Sequence, residues 1–491
     1  MQPATWAAPE NAAVPADVEA AMEHPASPAN AAPSSSSAPD VVAQALAADR
    51  AGSLSMLKGG ITIDDISNQI AQKELDLMKL DTNLKLEQLP DRWAGRRWFL
   101  DNLALTSCVA TGSYADGAER YRFKHHSKNI SKYYFAKCGW TRMIGSWIIV
   151  GGSLAEISAM AGRHYREFKR GVDPNTMRKY ADGLQNSIDD LLKQRDAEIA
   201  VGGTAGPQRA ALDKEGEVLH DVRNLAVNEF ARFYAQTKGI NAATYTGYLI
   251  AGLNNALIAS GAIAGNHFGL TVRGTARHRT RGTGGAGVCE SIAGSLNMTV
   301  PVTTRTVAYL TRHRAYQSIC HQLDCSEPAH LDKLHADQQQ FHSLIANQPE
   351  LAVHGVVARD SIFAKQAAIF DQHEALRLGE AKAARHKFLS QVIFFESVGA
   401  GKLVNGVCTM QGGFRYTNDA YARFEAFGAG RITQGIGYSV ATGELLRNQL
   451  WGELQSARLR SEGRGTGQIL HKQLEELNAL GVKGEIVPQK S

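Results

Sequence analysis

The chain is short of cysteine for its length, lacks any recognisable reactive-site signature, and contains long stretches almost free of charge. Six cysteines in 491 residues exclude a disulfide-built scaffold. Four of them, Cys108, Cys138, Cys289 and Cys408, fall within or at the edge of apolar runs, where small buried thiols are expected. No basic segment leads into a continuous apolar core before residue 59, so a standard cleavable secretion signal is not expected. No Gly-x-x-x-x-Gly-Lys-Ser/Thr run exists, and Gly399 to Lys402 has neither the spacing nor the hydroxyl for a phosphate loop, so no nucleotide is expected. Ser, His and acidic residues fall into neither a nucleophile elbow nor a metalloprotease helix, which leaves no visible catalysis and implies no cofactor. The formal charge of +5 is spread thinly and no basic helix is interleaved with aromatics, so nucleic acid is not an expected partner.

The longest gap in charge is residues 239–272, which hold no Lys, Arg, Asp or Glu. Within it residues 248–270, at about 1.5 Å per residue, are long enough for a hydrocarbon core of roughly 30 Å. Gly261, Gly265 and Gly269 recur at the i, i+4 interval, a line along which two helix backbones approach closely. Asn254, Asn255, Asn266 and His267 oppose a lipid setting because each needs a hydrogen-bond partner away from water. Two environments are therefore carried forward: a membrane span, and a buried Gly/Ala helix in a soluble cytoplasmic protein. The charged fraction of 21% and apolar fraction of 44% are ordinary globular values, so any embedded part is diluted by long soluble segments.

Residues 1–52 are rich in Ala, Pro and Ser without hydrophobic period, and are expected as a disordered head. Residues 61–90 read as an amphipathic, coiled-coil-like helix: Ile63, Ile70, Leu77 and Leu84 fall seven apart with Ile66 and Leu80 between them, and Thr62 with Asp65 supplies a capping box. Its seam suits either self-association or packing on the rest of the chain. Residues 98–115 then align without a gap on the charge-free run, Asn102 on Asn255, Ser107 on Ser260 and Gly112 on Gly265. A second apolar stretch, 140–162, completes a helical hairpin. Residues 282–304 complete another, and 388–413 with 424–443 form a third; Gly294-Ser295-Leu296 repeats Gly152-Ser153-Leu154.

The first members begin near Trp98, Tyr245 and Phe388, about 145 residues apart, which suggests a triplicated unit. The expected fold is all-α, with three repeated Gly/Ala-rich hairpins and long polar helices between them, in units 96–238, 239–387 and 388–491. Stripes such as Val218, Val222, Leu225, Phe230 and Phe233 mark the polar parts as amphipathic. Lys and Arg flank both ends of the hairpins, so no membrane orientation follows.

Ionisable residues inside the apolar stretches include Asp101, Glu156, Glu290, Glu396, Lys402 and Arg431. Of these, Glu156, Glu290, Glu396, Lys402 and Arg431 form a candidate polar path, since such groups in lipid need partners or a wet interior. On soluble helices they need neither. Cys320, His321, Cys325 and His330 offer soft donors for zinc or copper, but their spacing matches no metal motif and no metal is expected; Cys320 and Cys325 alternatively suit a local disulfide. The expected role is a membrane-associated or integral structural scaffold assembled through small-residue packing, with membrane lipid as partner and a homo-oligomer compatible with the glycine faces. A channel-like or membrane-perforating protein and a soluble helical module are the alternatives.

Overall fold

The computed structural model describes residues 62–89, 92–126, 132–201, 206–266, 276–325, 330–347, 354–416 and 418–481. Residues 1–52, Gly269 and His267 lie outside the described residues. Among those described, every regular element is helical and no strand occurs: α1 (Ile63–Glu87), α2 (Arg92–His126), α3 (Lys132–Arg170), α4 (Pro174–Val201), α5 (Pro207–Asn266), α6 (Ala276–Gln322), α7 (Leu331–Asn347), α8 (His354–Met410), a π-helical turn (Gln411–Arg415), α9 (Ala420–Ser461) and α10 (Thr466–Ala479). The positions 238/239 and 387/388 lie inside α5 and α8. A change from charged to apolar composition does not interrupt backbone hydrogen bonding, so the polar arms and the apolar runs are continuous rods.

The apolar runs close into a ring. Packing contacts run in the order α2, α3, α5, α6, α8, α9 and back to α2. Neighbours are antiparallel: Gly112 lies against Arg142 while Gly152 lies against Asp101, and Gly401 faces Gln434 while Gly412 faces Phe427. α6 and α8 approach closely where Gly287 and Gly294 meet Gly406 and Gly399, seven residues apart on each helix. A Cβ on Gly287 would stand 2.6 Å from the Gly406 carbonyl oxygen, and one on Gly294 would stand 2.6 Å from Leu403 N and 2.8 Å from the Gly399 oxygen. Backbone cannot yield as a flexible side chain does, so glycine is required there.

Beyond one end of the ring the same rods enter a lobe with an ordinary apolar core. It is built from α1, α4, α7, α10, the first halves of α5 and α8, and the last turns of α6, with Ile70, Leu75, Ile188, Val222, Phe230, Phe363 and Leu477 all buried. Thr62 and Asp65 form their capping box at the start of α1. The helix is not limited to a two-helix seam: Ser67, Glu74 and Asp81 are buried as well, because α4, α5, α8 and α10 surround it. Arg195 and Arg359, each 1% exposed, pair with the shared carboxylate of Glu215 at 2.9 and 2.5 Å. This joins α4, α5 and α8 through a buried charge that would be costly to leave alone. Ring and lobe belong to one compact unit, Lys58–Ser491.

The glycine contact generates a direct expectation. Gly294→Leu forces α6 and α8 apart and costs several kcal/mol, whereas Gly151→Leu, with nothing within 4 Å of its Cβ position, costs about 1 kcal/mol or less. Thermal unfolding of the two purified variants checks the difference; equal midpoints would contradict the packing.

Candidate functional site

The ring turns its charges inward. Asp116 of α2 (2% exposed), Arg142 of α3 (7%), Glu290 of α6 (3%), Lys402 of α8 (1%) and Arg431 of α9 (7%) meet at its centre. Arg431 links both acids, with Nη1 3.0 Å from Glu290 Oε1 and Nε 3.0 Å from Asp116 Oδ2. Arg142 reaches Glu290 at 3.5 Å although α3 and α6 are not adjacent in the ring. Asn405 donates its amide to the other Glu290 oxygen, and Arg120 holds Asp116 Oδ1 at 2.7 Å. The amide oxygen of Gln434 accepts from Ser113 at 3.1 Å, Arg142 at 3.4 Å and Arg431 at 3.0 Å. These side chains share the inward faces because they recur at helical intervals: Lys402 and Asn405 on α8, and Arg431, Gln434 and Tyr438 on α9.

Toward the lobe the interior turns apolar, with Leu105, Val109, Ile149, Ala251, Val398 and Ala441 packed around Tyr438. Asn254 donates to Asn297 across the α5 and α6 contact, while Asn255 donates to the Ala251 carbonyl at 2.9 Å. The amide N–H groups of two asparagines that oppose a lipid setting thus have partners, while the Asn254 and Asn255 side-chain oxygens are buried without one. The Asn266 side chain lies outside the described ones.

Of the candidate path residues, Glu290, Lys402 and Arg431 come together. Glu156 sits at the lobe end, where Arg97 donates to it at 2.7 Å. Glu396 is half-buried and forms no ion pair among the described residues. Asp116, Arg142, Asn405, Gln434 and Tyr438 belong to the centre without having been singled out. Arg142 satisfies the rule that finds the others, an ionisable residue inside the run 140–162, whereas Asp116 stands one residue beyond the run 98–115. Gly261 and Gly265 face Cys289 and Ala286 on the α5 and α6 contact. Cys320 and Cys325 are half-buried free thiols at the margin of the lobe core, and His321 and His330 are exposed. Among the described residues no three ligating side chains gather as a metal site.

A second polar group lies in the lobe. Lys85 pairs with Asp81 at 2.7 Å and Glu229 at 3.4 Å, and its ammonium lies 3.2 Å from His373 Nδ1. With Lys85 charged, Nδ1 accepts and the Nε2–H donates to Gln473 Oε1 at 3.1 Å, which fixes a neutral imidazole. Burial, reinforced by the Lys85 charge, pulls His373 down to about 4, and burial pushes Asp81 up to about 6 despite Lys85. Burial also holds the Glu74 carboxyl well above its usual range.

No protein-family model, no curated protein and no solved structure matches this chain. Its function is therefore argued from its own residues.

Opposite pH slopes follow from the lobe pair. The depressed His373 contributes stability that is present above pH 6.5 and lost as pH falls through about 4. The raised Asp81 contributes stability that is present below pH 3.8 and lost as pH rises through about 6. Between pH 4 and 6 the two offset one another. Relative to wild type, His373→Gln makes stability fall by about 2 kcal/mol across that window and Asp81→Asn makes it rise by a similar amount. Unfolding midpoints measured against pH test this; parallel profiles for all three proteins would refute it.

Proposed function

We propose that the ring is embedded in a lipid bilayer and that the chain is a structural, scaffold-type membrane protein that carries its helical lobe at one membrane face. The carrying observation is the inverted distribution of polarity. Across residues 98–118, 138–162, 241–265, 284–304, 389–410 and 426–443, no exposed residue is charged. Trp147, Leu253, Ile292, Val404 and Ile436 instead point outward. The charged groups of the same spans are buried or half-buried, the reverse of the lobe. Water rewards the lobe's arrangement and lipid the ring's.

Two stretches, Lys137–Val201 and Gln208–Gly265, contain helices long and apolar enough to cross a membrane. Only 33% and 39% of their apolar windows are buried, less than a soluble core helix requires. Exposed aromatics gather at both ends of the spans: Trp93, Tyr165, Phe168, Tyr309 and Trp451 toward the lobe, and Tyr121, Tyr134, Trp140, Phe414 and Tyr421 opposite. From Trp93 to Tyr121 α2 rises about 42 Å at about 1.5 Å per residue, close to the roughly 40–45 Å between the polar surfaces of a bilayer. The ring is read as three hairpin units of one ancestral pattern, α2 with α3, α5 with α6 and α8 with α9. Glycine contacts supply the close packing that lipid does not drive by itself.

A second reading, a channel-like protein, is favoured by one observation: five charged side chains converge on the axis of the ring. The filled apolar layer around Tyr438 favours the scaffold. Alkaline carbonate washing of membranes from expressing cells separates the membrane readings from a soluble module. The full chain is expected to stay in the pellet and to be released by detergent, and a supernatant protein would overturn the proposal. In reconstituted vesicles loaded with dye, retention is expected of the scaffold, and leakage would replace it with the channel reading.

A further inference from the structure

The centre of the ring holds more donors than it has acceptors. Three of the four carboxylate oxygens accept hydrogen bonds, Asp116 Oδ1 from Arg120 and the Glu290 oxygens from Arg431 and Asn405, while Asp116 Oδ2 has Arg431 only as an ion-pair neighbour at 3.0 Å. One amide oxygen, on Gln434, serves three donors at once.

Other donors form no hydrogen bond. Lys402 is 1% exposed, and its ammonium forms no hydrogen bond or ion pair among the described residues. It stands 5.7 Å from the centroid of the Tyr438 ring. The Tyr438 hydroxyl and Arg142 Nε are buried without a hydrogen-bond partner. Arg431 Nε lies 3.0 Å from Asp116 at an angle too poor for a hydrogen bond. Against these, Asn405 Oδ1 and, one turn further along α8, Thr409 Oγ1 are buried without a partner.

We infer that the ring binds a small inorganic anion of about the size of chloride beside Lys402, between its ammonium and the Tyr438 hydroxyl and within the field of Arg142. An acceptor without protons is the chemistry these donors lack, and a negative charge offsets that of the Lys402 ammonium in a place where solvent cannot. Lys402 and Tyr438 are almost fully buried, which selects a small ion over phosphate or a lipid headgroup. The inference rests on the folded ring and goes beyond the scaffold reading. It holds whether or not the ring lies in a bilayer, so the two fail separately.

The test is thermal unfolding of the full chain in detergent, with chloride replacing gluconate at constant ionic strength. A site that binds only the folded form raises the midpoint with the logarithm of anion concentration once chloride exceeds its dissociation constant, and bromide should act alike. Lys402→Met is expected to abolish the response, and Tyr438→Phe to move it to roughly tenfold higher chloride. A wild-type midpoint equal in chloride and gluconate overturns the site, as does a Lys402→Met protein that responds like wild type. Should Lys402→Met fail to fold, Tyr438→Phe decides: a shifted response supports the site and an unshifted one removes it.

Discussion

A carboxylate withdrawn from water is tolerable only when several donors replace the water it has lost, and Glu290 is held in that way. Its two oxygens draw Arg431 from α9, Arg142 from α3 and Asn405 from α8 to α6. The desolvation of one buried carboxylate costs several kcal/mol, so every one of those partners is needed and each comes from a different helix. The arrangement ties rods that are not neighbours and fixes their rotation. With the charges turned inward, the outer surface is left to Leu, Ile, Val, Trp and small residues. Glycines on α6 and α8 then let the rods approach closely enough for the central side chains to touch.

The lobe follows the opposite rule with the same helices. Along α5 both halves bury apolar and polar side chains, Val218, Val222 and Glu215 in the lobe and Ala251, Ile258 and Asn254 in the ring, while the exposed ones change from Asp213, Glu217 and Arg232 to Leu249, Leu253 and Ile263. The rod passes from the lobe into the ring without a break. Both α5 and α8 run through the two regions. The buried Arg195, Glu215 and Arg359 group anchors them at the far side.

Much of this was legible in the residues. Helical class followed from the 3.6-residue phase of the polar arms and from the length of the charge-free runs. The burial of Val218, Val222 and Phe230 follows their spacing, while Leu225 and Phe233 sit at the edge of that core. Glu290, Lys402 and Arg431 stood out because a charge in an apolar run needs an explanation. Closure of the ring was not legible, since which rods are neighbours depends on contacts between residues more than a hundred positions apart. Asn405, Gln434 and Tyr438 were hidden for a related reason: uncharged polar residues are common in helices, and only their convergence on Glu290 and Arg142 distinguishes them. The tight glycines also differ in part from the regular line Gly261, Gly265 and Gly269, because regular spacing marks a face without saying which backbone lies opposite it.

The solvent around the ring is the central claim, and Trp147 reports on it directly because it lies midway along α3 on the outer face, 47% exposed. A variant keeping Trp147 as its sole tryptophan, the other five replaced by Phe, is reconstituted into vesicles whose acyl chains are brominated at chosen depths. Strong quenching of its fluorescence by chain bromines is the predicted result. Emission equal in brominated and unbrominated vesicles would place Trp147 in water or protein and contradict the account.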